Sequence, residues 1–139
     1  MDTIDTSADY SDFYLLIVDD VPLNLLLIQK MLSKFNFKVK TASHGQQALD
    51  LIDQEKPDVI LLDLMMPGID GFEVLRRLRA KPETSDIQIV ILSALNSNDD
   101  IVKGFQLGAN DFITKPIIMD KLLASVVKQL EICKEKRNK

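Results

Sequence analysis

The chain has 139 residues, 46% of them hydrophobic, with one Cys and no Trp; that suffices for one domain hiding roughly two-thirds of its surface on folding, and is too apolar for disorder. A single cysteine excludes an internal disulfide framework, no apolar run approaches the roughly 20 residues of a membrane helix, and the N-terminus MDTIDTSADYSD lacks signal-peptide character, so a soluble cytoplasmic protein without membrane partners is expected. Its 17 Lys+Arg against 21 Asp+Glu, a net charge of -4, offer no basic face for phosphates, which argues against direct DNA binding.

Residues 1–12 carry four Asp and no base and read as a disordered acidic leader. From Phe13 onward, short apolar runs alternate with longer amphipathic ones, the pattern of one α/β domain over 13–130. The strand runs are Tyr14–Val18, Lys38–Ala42, Val59–Leu62, Gln88–Leu92 and Asp111–Thr114. Three of them are solidly apolar, as befits strands covered on both faces of a parallel sheet.

Helices are expected over 22–36, 45–55, 71–80, 98–107 and 118–135. In the first, Leu23, Leu27, Met31 and Phe35 form an i, i+4 ridge flanked by Ile28 and Leu32, with Pro22 tolerated in the opening turn and Leu26 outside the stripe. Gly45 follows Ser43 and a lone His44, which reads as a solvated loop residue. Gly68, Gly71, Gly104 and Gly108 fall in or beside turns and helix ends, where positive φ is tolerated. Asn96 to Asp100 supplies capping oxygens and acids to the fourth helix. The last helix has Leu122, Leu123, Val126, Val127 and Leu130 for the core, with Lys121, Lys128 and Gln129 toward water. Residues 131–139, with four bases and two acids, read as a frayed helix end and basic tail.

Right-handed crossovers bring the C-terminal ends of parallel strands to one sheet edge, where ligands bind in open α/β folds. The residues at those ends are Asp19 and Asp20, Asp63, Ser93 and Lys115. Clustered carboxylates raise each other's pKa unless something positive sits among them. An oxygen-only donor set selects a hard cation such as Mg2+. With Mg2+ and Lys115 alongside, a carboxylate can attack phosphorus to give an aspartyl phosphate. Asp63, ending a buried central strand, is the best candidate nucleophile.

LLIVDD (15–20), VILLDLMMPGIDGFEVLRRLR (59–79), VILSA (90–94) and GANDFITKP (108–116) together resemble the receiver domain of two-component response regulators, in its single-domain, chemotaxis-receiver-like form. The resemblance implies a five-stranded parallel sheet of order 2-1-3-4-5 flanked by five helices, the flavodoxin-like arrangement that the chemotaxis receiver exemplifies. It implies that Asp63 is the phosphoacceptor and that Asp19 and Asp20 hold Mg2+, with Asp20, Asp63 and the Met65 carbonyl as favoured direct ligands. Lys115 would pair with the phosphoryl group, Ser93 would move to hydrogen-bond it, and Phe112 would turn inward as the switch aromatic. Lys115-Pro116 matches a peptide bond that is cis in the family.

The implied donor is a phosphohistidine on a histidine kinase or histidine phosphotransfer protein, docking near Leu26 on the first helix and the loop after the fifth strand. The implied readout is a downstream protein bound through helix 98–107, strand 111–114 and helix 118–130. Such a protein catalyses only its own phosphorylation and dephosphorylation. Two departures stand out: Ser93 replaces the commoner Thr, and Met65 and Leu95 are apolar where water must reach the acyl phosphate, which suggests slow self-dephosphorylation. One alternative is a receiver excised from a hybrid histidine kinase or larger regulator. A haloacid-dehalogenase-like phosphatase would also use Asp, Mg2+ and Lys, but would carry a second Asp where Met65 stands. A flavodoxin-like FMN binder would meet repulsion from Asp19 and Asp20, and a pseudo-receiver lacking the chemistry would not need the full acidic set.

Overall fold

A computed structural model describes residues 9–138. The chain runs β1 (Tyr14–Val18), α1 (Pro22–Met31), β2 (Lys38–Ala42), α2 (Gly45–Gln54), β3 (Val59–Asp63), α3 (Gly71–Ala80), β4 (Gln88–Ser93), α4 (Asn98–Gln106), β5 (Asp111–Thr114) and α5 (Met119–Arg137). All strand pairs are parallel and the sheet order is β2-β1-β3-β4-β5. The expected architecture is thus the observed one.

The apolar strand runs follow from this layering. Leu15, Ile17, Val59, Leu61, Val90 and Leu92 point into a core shared with α1 and α5. The alternate residues Leu16, Val18, Ile60, Leu62, Ile89 and Ile91 point into a second core with α2 and α3. A strand that feeds both cores is apolar through its middle and keeps polar residues for its ends, such as Gln88, Ser93 and Asp63.

Four expectations need correction. Helix α1 stops at Met31, and its buried face is Ile28 with Leu25 packed beside it, followed by Leu32 at the cap. Leu23 (61% exposed) and Leu27 (46%) face solvent together with Leu26. Because this helix is apolar on nearly every side, its period could not say which ridge the sheet covers.

The second correction concerns the leader. Residues 1–8 lie outside the described residues, but Tyr10 is only 2% exposed and packs edge-on to Phe13 and tilted against Phe35. Its backbone N–H donates to Asn36 Oδ1 (2.8 Å) and its hydroxyl to Glu131 Oε2 (3.0 Å). Order therefore extends upstream of Phe13.

Third, the basic tail is docked through Arg137 as part of α5, and only Lys139 lies outside the described residues. Arg137 stacks over Phe13 at 4.0 Å and pairs with Asp58 at 2.8 Å, and Lys136 donates to Gln88 Oε1 at 2.9 Å. Fourth, Gln129 is 1% exposed rather than solvated, accepting from Gln88 Nε2 at 2.6 Å. Each side chain supplies the other's missing partner, which is what lets two amides share the interior.

Local capping follows the sequence closely. Ser97 and Asp70 cap α4 and α3 by accepting from Asp100 N and Glu73 N. His44 has more of a role than expected: it caps α2, its Nδ1 accepting from Gln47 N at 3.1 Å. Among the described residues no helix is long and apolar enough to cross a membrane.

Candidate functional site

Each site residue is placed by the end of a strand. Asp19 and Asp20 follow β1, while Asp63 and Ser93 are the last residues of β3 and β4, one position further along than the apolar runs alone suggested. Lys115 follows β5, its backbone N–H donating to Ser93 O at 2.8 Å so that the ladder continues one residue past the strand. The Lys115-Pro116 peptide bond is cis, as the resemblance implied.

The three carboxylates converge: one oxygen from each of Asp19, Asp20 and Asp63 lies within 4.8 Å of the others. Lys115 Nζ stands among them, 3.0 Å from Asp19 Oδ2 and 3.7 Å from Asp63 Oδ2. The acids differ in how they are engaged. Asp19 is fully buried and accepts from Val21 N (2.9 Å), from the Asn24 amide (3.2 Å) and from Lys115. Asp63 is also buried and, among the described residues, accepts only from Met65 N, at 3.3 Å, besides facing Lys115. Asp20 is half-buried.

Burial raises the Asp63 carboxyl above its usual range, and Asp19 and Asp20 add to the rise while Lys115 and the Met65 N–H oppose it. One ammonium does not neutralise three carboxylates. A divalent cation would fit: the donors are all oxygen, and Asp20 and Asp63 are the acids least committed to protein partners. Ser93 is completely buried, its Oγ accepting from Leu95 N at 3.1 Å. Phe112 is half-buried against the core on the α2 and α3 side. Met65 is exposed and Leu95 half-buried, and both line a depression with Phe72 beside the acids.

Leu26 is 61% exposed on α1, as are Leu23 at 61% and Leu27 at 46%. On the flank of α1, Leu27, Ile28 and Met31 form a groove of about 510 Å³ with Lys115, Pro116 and Ile117. Two site residues escaped the sequence reading. Asn24, the one polar side chain in PLNLLLI, fixes Asp19; its interruption of an apolar run was the available signal. Gly71 begins α3 against the end of β3, where a Cβ would come 2.3 Å from Asp63 O. Its glycine answers close approach rather than positive φ, which the described glycines adopt only at Gly68 and Gly108.

Known proteins are similar in sequence and fold. The chain is 43% identical over 112 residues to response regulator PleD of Caulobacter vibrioides, covering 81% of this chain but only a quarter of PleD. It is 39% identical over 112 residues to protein PilH of Pseudomonas aeruginosa, covering 81% of this chain and 93% of PilH. Its fold is similar to the signal receiver domain of a LuxO repressor protein from Vibrio parahaemolyticus (TM-score 0.85, 29% identity, 90% of this chain and 95% of that one). It is also similar to the Mn2+-bound form of response regulator Rcp1 (TM-score 0.73, 27% identity, 82% and 88%). The family model for the response regulator receiver domain matches residues 15–127. With that match covering most of its length, and with the same fold, the chain belongs to the response regulator receiver domain family.

Proposed function

We propose that this receiver domain accepts a phosphoryl group from phosphohistidine onto Asp63, with Mg2+, in a two-component phosphorelay. The observation that carries the reading is the convergence of Asp19, Asp20 and Asp63 within 4.8 Å around Lys115. Asp20, Asp63 and the Met65 carbonyl hold the ion, and Mn2+ in the similar Rcp1 supports a divalent site. Asp19 is the acid that keeps Lys115 in place. When bound, Mg2+ offsets negative charge on the transferring phosphoryl oxygens. Asp63 Oδ forms the bond to phosphorus as the histidine N–P bond breaks, and Lys115 stabilises the new charge.

Phosphorylation exchanges the single negative charge of the carboxylate for about two, and the added charge and phosphoryl oxygens favour a different arrangement of Ser93, Phe112 and α4. A histidine kinase or phosphotransfer protein docks on the exposed leucines of α1, Leu26 included, beside the groove that ends at Lys115. A downstream protein reads the face of α4, β5 and α5, where Val102, Phe105 and Ile118 are exposed. Signalling proceeds by protein contact in the cytoplasm, without direct DNA binding, and the only chemistry is the domain's own phosphorylation and dephosphorylation. The working unit is 13–130 extended by the packed segment around Tyr10 and by the rest of α5 through Arg137. Beryllofluoride or acetyl phosphate with Mg2+ tests the chemistry: modification is expected at Asp63 and absent in Asp63→Asn, and a wild-type chain that does not react would overturn it.

A further inference from the structure

The two ends of α4 are held differently. Among its residues only Gly104 is buried, and a Cβ there would lie 2.9 Å from Ile91 Cδ1 and 3.1 Å from Phe112 Cδ2. The helix backbone therefore rests on the Phe112 ring. The N-terminal turn is capped within itself, through Ser97 and Asp100. At the C-terminal end, the guanidinium of Arg79 on α3 reaches across. Its Nε donates to Gly108 O (2.9 Å), Nη1 to Ser85 O (3.1 Å) and Nη2 to Asn110 Oδ1 (2.9 Å).

Asn110 continues the network into the sheet, its Oδ1 accepting from Ile89 N at 2.7 Å and its N–H donating to Ile89 O at 2.8 Å. One side chain thus ties the last turn of α3, the α3–β4 connection, the start of β4 and the α4–β5 turn. Hydrogen bonds from a charged donor are the strong ones. Gly108 takes φ +108, and a Cβ there would strike Arg79 Cγ at 2.9 Å, so the turn is shaped to receive the arginine.

We infer that Arg79 is a positioning residue that pins the C-terminal end of α4, so that displacement of Phe112 beneath Gly104 swings the N-terminal half of the helix about a fixed pivot at 108–110. The trigger rests on the phosphoacceptor reading above, whereas the pivot stands on the geometry of the unphosphorylated chain.

Amide hydrogen exchange on the full chain tests it, comparing wild type, Arg79→Gln and Arg79→Lys with and without beryllofluoride and Mg2+. Without ligand, Arg79→Gln is expected to speed exchange at 108–110 by more than about tenfold and to leave 101–103 within about twofold, because local opening follows local contacts. In wild type, beryllofluoride should change 101–103 by at least about fivefold with 108–110 nearly constant; in Arg79→Gln the response should spread to 108–110. Arg79→Lys keeps the stem and one charged donor, should lie between, and decides the matter if Arg79→Gln does not fold. Equal acceleration of both segments, or none at 108–110, overturns the pivot. So does a wild-type ligand response at 108–110 that matches the one at 101–103, or ligand binding with no response at 101–103. Failure of beryllofluoride to bind at Asp63 overturns the phosphoacceptor reading instead, and the unliganded comparison still decides the role of Arg79.

Discussion

Lys115→Met keeps the length of the side chain while deleting the ammonium that faces the acids. Lys115 Nζ is 3.0 Å from Asp19 Oδ2 and 3.7 Å from Asp63 Oδ2, and both carboxylates are buried. Two unit charges about 4 Å apart attract by about 4 kcal/mol at an effective dielectric of about 20. Breaking a buried pair by removing one partner costs about 3–5 kcal/mol. Because the Lys115 side chain is 20% exposed, water screens part of this, and a loss of about 2–3 kcal/mol is expected.

Asp63→Asn, a few ångströms away, should do the opposite. Burial raises the Asp63 carboxyl above its ordinary range, so the folded state holds that proton more tightly than the unfolded state does. The stability contributed by Asp63 is present below its unfolded pKa of about 4 and is lost as pH rises through the higher folded value. Asp63→Asn should therefore match wild type in acid and exceed it increasingly as pH approaches about 7. Urea unfolding in EDTA measures both variants. Lys115→Met within about 0.5 kcal/mol of wild type, or Asp63→Asn less stable than wild type at about pH 7, would refute the charge balance drawn for this site.

Three further expectations follow from particular contacts. Tyr10→Ala should cost about 3–5 kcal/mol by urea unfolding, as for other buried aromatics, and Tyr10→Phe no more than about 1.5 kcal/mol, since it keeps the ring and loses the hydroxyl's bond to Glu131; near-neutral Tyr10→Ala would mean that the segment does not pack. Leu26→Glu should slow transfer from the cognate phosphohistidine donor and leave labelling by acetyl phosphate intact, and equal slowing of both would remove α1 as the docking surface. Met65→Asn with Leu95→Glu should hasten phosphate loss in a single-turnover assay by about tenfold or more, a barrier change of about 1.4 kcal/mol, and an unchanged rate would dismiss apolar shielding.

The site was legible in sequence because chemistry and topology coincide in it. Residues at the ends of parallel strands meet at one edge whatever the side chains between them do, so Asp19, Asp20, Asp63, Ser93 and Lys115 could be gathered without coordinates. Features that depend on which face packs were not legible in that way. Helix α1 offers leucine on nearly every side, and only contact with β1 and α5 selects Leu25, Ile28 and Leu32 for the core. Gln129 looked like surface because its partner, Gln88, lies 41 residues away on another element. Nothing in the sequence separates Arg79 from Arg76 and Arg77, and its three carbonyl partners come from turns that no periodicity describes.

The clasp between Tyr10 and the end of α5 bears on the order in which the chain assembles. Tyr10 bonds to Glu131 across 121 residues, and Arg137 reaches Asp12 O across 125. Contacts of such separation carry a large loop-closure cost unless the sheet between them has already shortened the loop. They belong to the last stage of folding and the first of unfolding. A break there should raise the unfolding rate and leave the folding rate almost unchanged, making these ten or so residues a brake on escape from the native state rather than a guide into it.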